Sequence, residues 1–163
     1  MSKTKQHAAT PLRIWLRLLT CANLIESRVR GRLRENFAST LPRFDMLAQL
    51  DMAARESREG LTMGELARRL LVSNGNLTGL TTRLLKEGLV TRTTSSHDRR
   101  AQRVRMTAAG KRAFDAMAAD HRRWIESMLV GMDGAEAKQL YDLMGRLKET
   151  VQNWQQNGSA ETA

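Results

Sequence analysis

Between residues 62 and 106 the chain sets out one order of elements that few folds can accommodate. Thr62 stands three residues before Glu65, the spacing at which a hydroxyl and a carboxylate satisfy the free N–H groups of a helix start. Met63, Leu66, Ala67 and Leu70 then give a short helix one apolar side. Ser73, just after Val72, suits the N-cap of a second helix. The apolar side of that helix is Leu77, Leu80 and Leu84, and Gly88 marks its end. Two strand-like runs follow, residues 89–93 and 102–106, around a polar tip at residues 94–100. In the second run Val104 and Met106 alternate with arginines, as in a strand with one covered face. The order is helix, turn, helix, hairpin.

Helical patterns flank this block on both sides. Over residues 12–37 the apolar residues Trp15, Leu18, Ala22, Ile25, Val29 and Leu33 recur at spacings of three and four. Pro42 suits the first turn of a second helix, with Phe44, Leu47, Leu50 and Ala54 as its buried stripe. Residues 55–60, charged and ending in glycine, read as a loop. Thr107 opens a long helix that buries Phe114, Met117, His121, Trp124 and Met128. Asp133 and Glu136 repeat the capping-box spacing. The last helix aligns Ala137, Leu140, Met144, Leu147, Val151 and Trp154. Such a seam wants a partner surface, and either a second copy or the rest of the chain satisfies the spacing.

The 163 residues carry 27 Lys and Arg against 17 Asp and Glu, a net charge of +10. Between Ser73 and Arg112 nine basic residues face only two acidic ones, so about a quarter of the chain holds +7 of that excess. The excess sits on the helix-turn-helix and hairpin pattern, where phosphate neutralisation would use it. Aromatic residues are only 4%, which argues against a stacking-based RNA or single-strand binder. Cys21 is the single cysteine, so no internal disulfide forms. No apolar run reaches the ~20 residues a membrane span needs, and the N-terminus lacks a signal-type apolar run. The expectation is a cytoplasmic chain with no membrane partner. His7, His97 and His121 are isolated, and neither a phosphate-cradling glycine loop nor a Gly-x-Ser-x-Gly elbow is present. We therefore expect no metal, no cofactor and no catalysis.

On a helical wheel of residues 74–87, the side opposite Leu77, Leu80 and Leu84 carries Gly75, Thr78, Gly79, Thr82 and Lys86, flanked by Asn74 and Asn76. Asn pairs with adenine edges, and Thr offers a hydroxyl and a methyl to thymine. With Ser73 at the cap and Arg83 on the same helix, these are the candidate contacts to double-stranded DNA. Gly75 and Gly79 lower helix propensity by about 1 kcal/mol each relative to Ala. They either let the helix approach the duplex closely or make room for a neighbouring helix. At the hairpin tip, Arg99 and Arg100 suit a narrow minor groove, and Asp98 can hold a guanidinium in place or serve as a turn residue.

Residues 61–110 resemble the DNA-binding core of the MarR family. The resemblance is carried by Leu61 and Thr62 ahead of Glu65, Leu66 and Ala67, and by the run at residues 84–90. Its most specific part is Asp98, Arg99 and Arg100 followed by Met106, Thr107 and Gly110, with methionine in place of the more usual leucine. The resemblance implies a mainly α fold with a small β-hairpin wing. It implies a winged helix-turn-helix over residues 39–107 and a helical dimerisation region over 11–38 and 108–156, while residues 1–10 and 157–163, polar and unpatterned, read as disordered tails. It also implies a bacterial homodimer on a near-palindromic operator, most often a repressor released by a small molecule.

Residues 71–80 resemble members that control aromatic-acid catabolism, including those answering hydroxycinnamoyl-CoA thioesters. An aromatic acid or aryl-CoA thioester would need cations and an apolar slot. The candidates are Arg28, Arg32 and Arg43, with Trp15, Leu19, Phe44, Leu47, His121 and Trp124. The bland alternative is that these aromatics are core and the arginines a solvated face. Some family members sense peroxides through a cysteine near the first helix. Cys21 lies later in its helix than that and reads as a buried thiol. An architectural DNA-binding protein with no effector is the other alternative.

Overall fold

The computed structural model describes residues 10–56, 59–94 and 102–158. They form α1 (Pro11–Phe37), α2 (Leu41–Arg55), β1 (Leu61–Thr62), α3 (Met63–Leu70), α4 (Asn74–Lys86), β2 (Val90–Thr94), β3 (Gln102–Met106), α5 (Ala108–Leu129) and α6 (Gly134–Gly158). The chain divides into two compact units, one ending at Trp124 and the other starting at Ile125.

Local side-chain chemistry sets the helix starts. Thr10 accepts from the Arg13 N–H, with Pro11 in the first turn of α1. Thr10 thus belongs to a helix cap and not to a tail. Thr62 and Glu65 close a full capping box at α3. Ser73 caps α4 through the Asn76 N–H. Thr107 accepts from the Gly110 N–H at 3.0 Å and donates to the Gly88 carbonyl at 2.6 Å, so one hydroxyl joins the end of α4 to the start of α5. Asp133 and Glu136 exchange bonds at the head of α6.

The sheet has three strands in the order β1-β3-β2, all antiparallel, with Leu61 opposite Val104 and Val90 opposite Met106. The sequence pattern predicts only the hairpin, because a two-residue strand has no periodicity of its own. Gly60 (φ +106°) makes β1 possible, since a Cβ there would lie 2.5 Å from the Val104 carbonyl oxygen. Gly110 plays the same part at the base of the hairpin, where a Cβ would lie 2.0 Å from the Leu89 oxygen.

The core of the first unit is Val29 and Leu33 of α1, Phe44, Met46, Leu47, Leu50 and Ala53 of α2, and Leu61, Leu66, Leu77, Leu84, Val90 and Val104. From α5 it takes Phe114, Met117 and Trp124. Several expected stripes shift. In α2 the buried alanine is Ala53 and not Ala54, because the helix turns Met46 and Ala53 inward along with Leu50. In α3 only Leu66 is fully buried, while Met63, Ala67 and Leu70 are half-exposed. In α4 Thr81 is fully buried and Leu80 only half so. The Thr81 hydroxyl escapes the cost of burial by donating to the Leu77 carbonyl at 2.8 Å.

The first half of α1 departs most from expectation. Trp15 and Leu19 are exposed, Leu18 and Ile25 half so, and burial begins only at Val29. Cys21, expected as a buried thiol, is exposed for the same reason. In α6 the side chains of Leu140, Tyr141, Leu143, Met144, Leu147, Val151 and Trp154 are all exposed.

Inside the first unit the His121 ring lies 4.8 Å from the Phe44 ring, and burial pushes its pKa below the ordinary 6.5. A base whose folded pKa is depressed gives stability that is complete above 6.5 and is lost as pH falls towards the folded value. The melting temperature of the wild-type chain should therefore drop between pH 7 and pH 5. A His121→Leu chain should lose that part of the slope in the same scans.

Candidate nucleic-acid interface

Helix α4 owes its orientation to Leu77, Thr81 and Leu84, which are fully buried. With that side fixed inward, Gly75, Asn76, Thr78, Gly79, Thr82, Arg83 and Lys86 all lie exposed, and Ser73 is exposed at the cap. Asn74 opens the helix as its first residue. Thr82 donates its hydroxyl back to the Thr78 carbonyl at 2.9 Å, so it presents a methyl and an acceptor outward. A Cβ at Gly75 or Gly79 would meet nothing within 4 Å. Among the described residues, neither glycine makes room for a neighbouring helix. Asp98, Arg99 and Arg100 lie outside the described residues.

Beyond the Gly88 turn, the hairpin adds Arg92 and Arg105, both exposed, and Arg103, three-quarters buried. Three ion pairs that the hydrophobic pattern does not mark involve α2, one of them at the end of α4. Arg43, in the first turn of α2, pairs with Glu87 at the C-cap of α4. A carboxylate is unfavourable at the negative end of a helix, and the guanidinium offsets it. Arg43 is therefore engaged within the chain, not spare. On α2, Asp51 holds Arg55 at 2.7 Å and Lys111 of α5 at 3.2 Å. Burial pushes the Asp51 carboxyl up, but hydrogen bonds from Arg55 and Lys111 outweigh it and leave its pKa below the usual value.

A cavity of about 700 Å³ lies beside α4, between α1, α2 and the helix-turn-helix. Its charged lining is Glu26, Arg30, Arg43, Asp45 and Arg83. Burial, with Glu26 nearby, raises the Asp45 pKa, and Arg30 partly opposes the rise.

The nine candidate ligand residues divide. Phe44, Leu47 and Trp124 belong to the interior and His121 is half-buried at its edge, with the Phe44 ring tilted against Phe114 at 5.6 Å and against His121 at 4.8 Å. Trp15, Leu19, Arg28 and Arg32 lie along α1, exposed in all four cases. Of the nine, only Arg43 lines the cavity beside α4. Among the described residues no group of His, Cys, Asp and Glu could hold a metal ion. No described helix is long and apolar enough to cross a membrane.

Residues 40–101 match the MarR family model. The chain is 33% identical over 106 residues to the transcriptional activatory protein BadR of Rhodopseudomonas palustris. That match covers 65% of this chain and 59% of BadR, so it spans less than two thirds of that relative. The fold is similar to a MarR family transcriptional regulator from Silicibacter pomeroyi, with a TM-score of 0.71 and 25% identity over 92% of this chain and 99% of that one. It is also similar to MepR of Staphylococcus aureus, solved as a DNA complex, with a TM-score of 0.70 and 15% identity over 90% and 99%.

The open space around Gly79 yields a two-sided expectation. Gly79→Ala should stabilise the chain by about 1 kcal/mol, raising the melting temperature by roughly 2–4 °C. If the bare backbone serves close approach to a duplex, the same change should weaken DNA binding. A more stable variant with undiminished affinity in a fluorescence titration would remove close approach as the reason for the glycine.

Proposed function

The chain belongs to the MarR family, and on that premise we propose that it is a DNA-binding transcription regulator working as a homodimer in the bacterial cytoplasm. The observation that carries this reading is the exposed side of α4. There glycines, threonines, Asn76, Arg83 and Lys86 share one surface, within the part of the chain that holds most of the excess positive charge. Ser73, Asn74, Gly75, Asn76, Thr78, Thr82, Arg83 and Lys86 would meet the major groove. Asp98, Arg99 and Arg100 would meet the minor groove or the phosphates beside it.

For the dimer, the support is apolar exposure concentrated on two long helices, α1 and α6. Trp15, Leu16 and Leu19 on α1 and Leu143, Met144, Leu147 and Trp154 on α6 would be covered by the same helices of a second chain. Residues 11–38 and 108–156 then form the dimerisation region, and residues 39–107 the reading region. Two reading regions related by a two-fold axis require a near-palindromic site.

The regulator acts as a repressor released by a small aromatic acid or aryl-CoA thioester. Support comes from the sequence of residues 71–80 and from the exposed Arg28, which shares α1 with Arg32 and with the exposed Trp15 and Leu19. A coenzyme A thioester should raise the melting temperature through binding to the folded state, whereas coenzyme A alone should not. Equal melting with hydroxycinnamoyl-CoA, free hydroxycinnamate and coenzyme A would withdraw that ligand class. Two alternatives remain: an effector-independent architectural protein, and a peroxide sensor acting through Cys21. The exposure of Cys21 favours the sensor reading more than the sequence did.

The DNA reading itself is tested by Arg100→Ala. That change should cost about 1–3 kcal/mol of binding and reduce its salt dependence. Unchanged affinity at two salt concentrations would remove the wing arginine from the interface.

A further inference from the structure

The edge of the wing nearest α3 is held by a joint of three residues: Gly60 just before β1, Glu65 of α3 and Arg103 of β3. Gly60 lies in the left-handed region and brings β1 against the Val104 backbone more closely than a residue with a side chain allows. Arg103, on β3 opposite Thr62, donates from one terminal nitrogen to the Gly60 carbonyl at 3.1 Å. The same nitrogen stands 3.5 Å from Glu65 Oε2. That oxygen also accepts from the Thr62 N–H at 2.8 Å and from the Thr62 hydroxyl at 3.0 Å. One carboxylate therefore closes the start of α3 and faces the cation of the wing strand. Both side chains are three-quarters buried or more, where salt screens a charge pair poorly.

Sheet packing alone does not call for arginine here, since a β-branched or aromatic side chain packs better on a half-covered strand. A planar guanidinium, by contrast, can meet a carbonyl and a carboxylate at once. The geometry points to Arg103 as a positioning residue for DNA binding. Through Gly60 and Glu65 it fixes the β2–β3 wing against α3, and so against the reading helix α4, without contacting DNA itself. This inference rests on the DNA-binding reading above.

Two measurements on the full chain test it. The first needs no DNA: hydrogen exchange of Arg103→Met against wild type. Methionine keeps a long apolar stem and removes the fork. Amides of residues 90–94 and 102–106 should exchange about tenfold faster, the scale of one lost hydrogen bond to a charged group, with α6 amides unchanged. Glu65→Gln keeps an acceptor for Thr62 and removes the charge, so it should move the same amides in the same direction and carries the test if Arg103→Met does not fold. Unaltered exchange in a folded variant overturns the joint.

The second is a titration on a duplex selected by the wild-type chain from a randomised DNA library. Arg103→Met should weaken binding about tenfold, following the same lost bond. In an Arg100→Ala background it should weaken binding less than about twofold, because the effect passes through the wing. Equal losses in the two backgrounds would overturn the positioning role. Failure of the wild-type chain to select any duplex would instead sink the DNA-binding reading, and the exchange result would still judge the joint.

Discussion

The surface proposed to face a duplex exists because three side chains fix the opposite side of one helix. Leu77, Thr81 and Leu84 are each fully buried, and once they are inward every other side chain described on α4 follows by helical geometry. A reading helix must keep its outer side free of structural duties. Here that is achieved by leaving glycine at two outward positions and by satisfying Thr81 internally. Anchoring is thus separated from display. Leu77, Thr81 and Leu84 set how α4 is turned, and the opposite side is left exposed.

Charge is arranged on the same principle. Glu87, Glu65 and Asp51 do not dilute the positive surface at random. Each is held by a cation at a junction: Arg43 to Glu87 between α2 and α4, Arg103 to Glu65 between β3 and α3, and Lys111 to Asp51 between α5 and α2. Partly buried pairs of this kind add little net stability, but breaking one leaves an uncompensated charge and so penalises other arrangements. The exposed cations Arg83, Lys86, Arg92 and Arg105 remain on the outside of the same block.

Features encoded within a few residues were legible in the sequence, and those made between distant residues were not. The caps at Thr62, Ser73, Thr107 and Asp133 are side-chain bonds over three residues, and each stands in the structure as its spacing implied. The strand β1 escaped notice because it is defined by Val104 and Arg103, some forty residues later. Thr81 and Asp51 are polar residues on buried positions, which a hydrophobic pattern cannot mark. Periodicity identified the apolar side of α1 correctly at Val29 and Leu33. It could not say that Trp15 and Leu19 would lie exposed in one chain, because spacing shows which side wants cover and not who provides it. Of the candidate interface, the helix residues were legible because they are simply the complement of an apolar stripe. The Arg103 joint was not, since nothing local distinguishes Arg103 from Arg105.

The central claim is that two such chains read one symmetric duplex. It is tested most directly by selecting duplexes from a randomised library and measuring the molar mass of the complex formed. The account predicts two chains per duplex on a two-fold symmetric sequence, with half-site centres separated by about one helical turn or a multiple of it. A single chain bound to an asymmetric sequence, or no enrichment of any sequence, would contradict it.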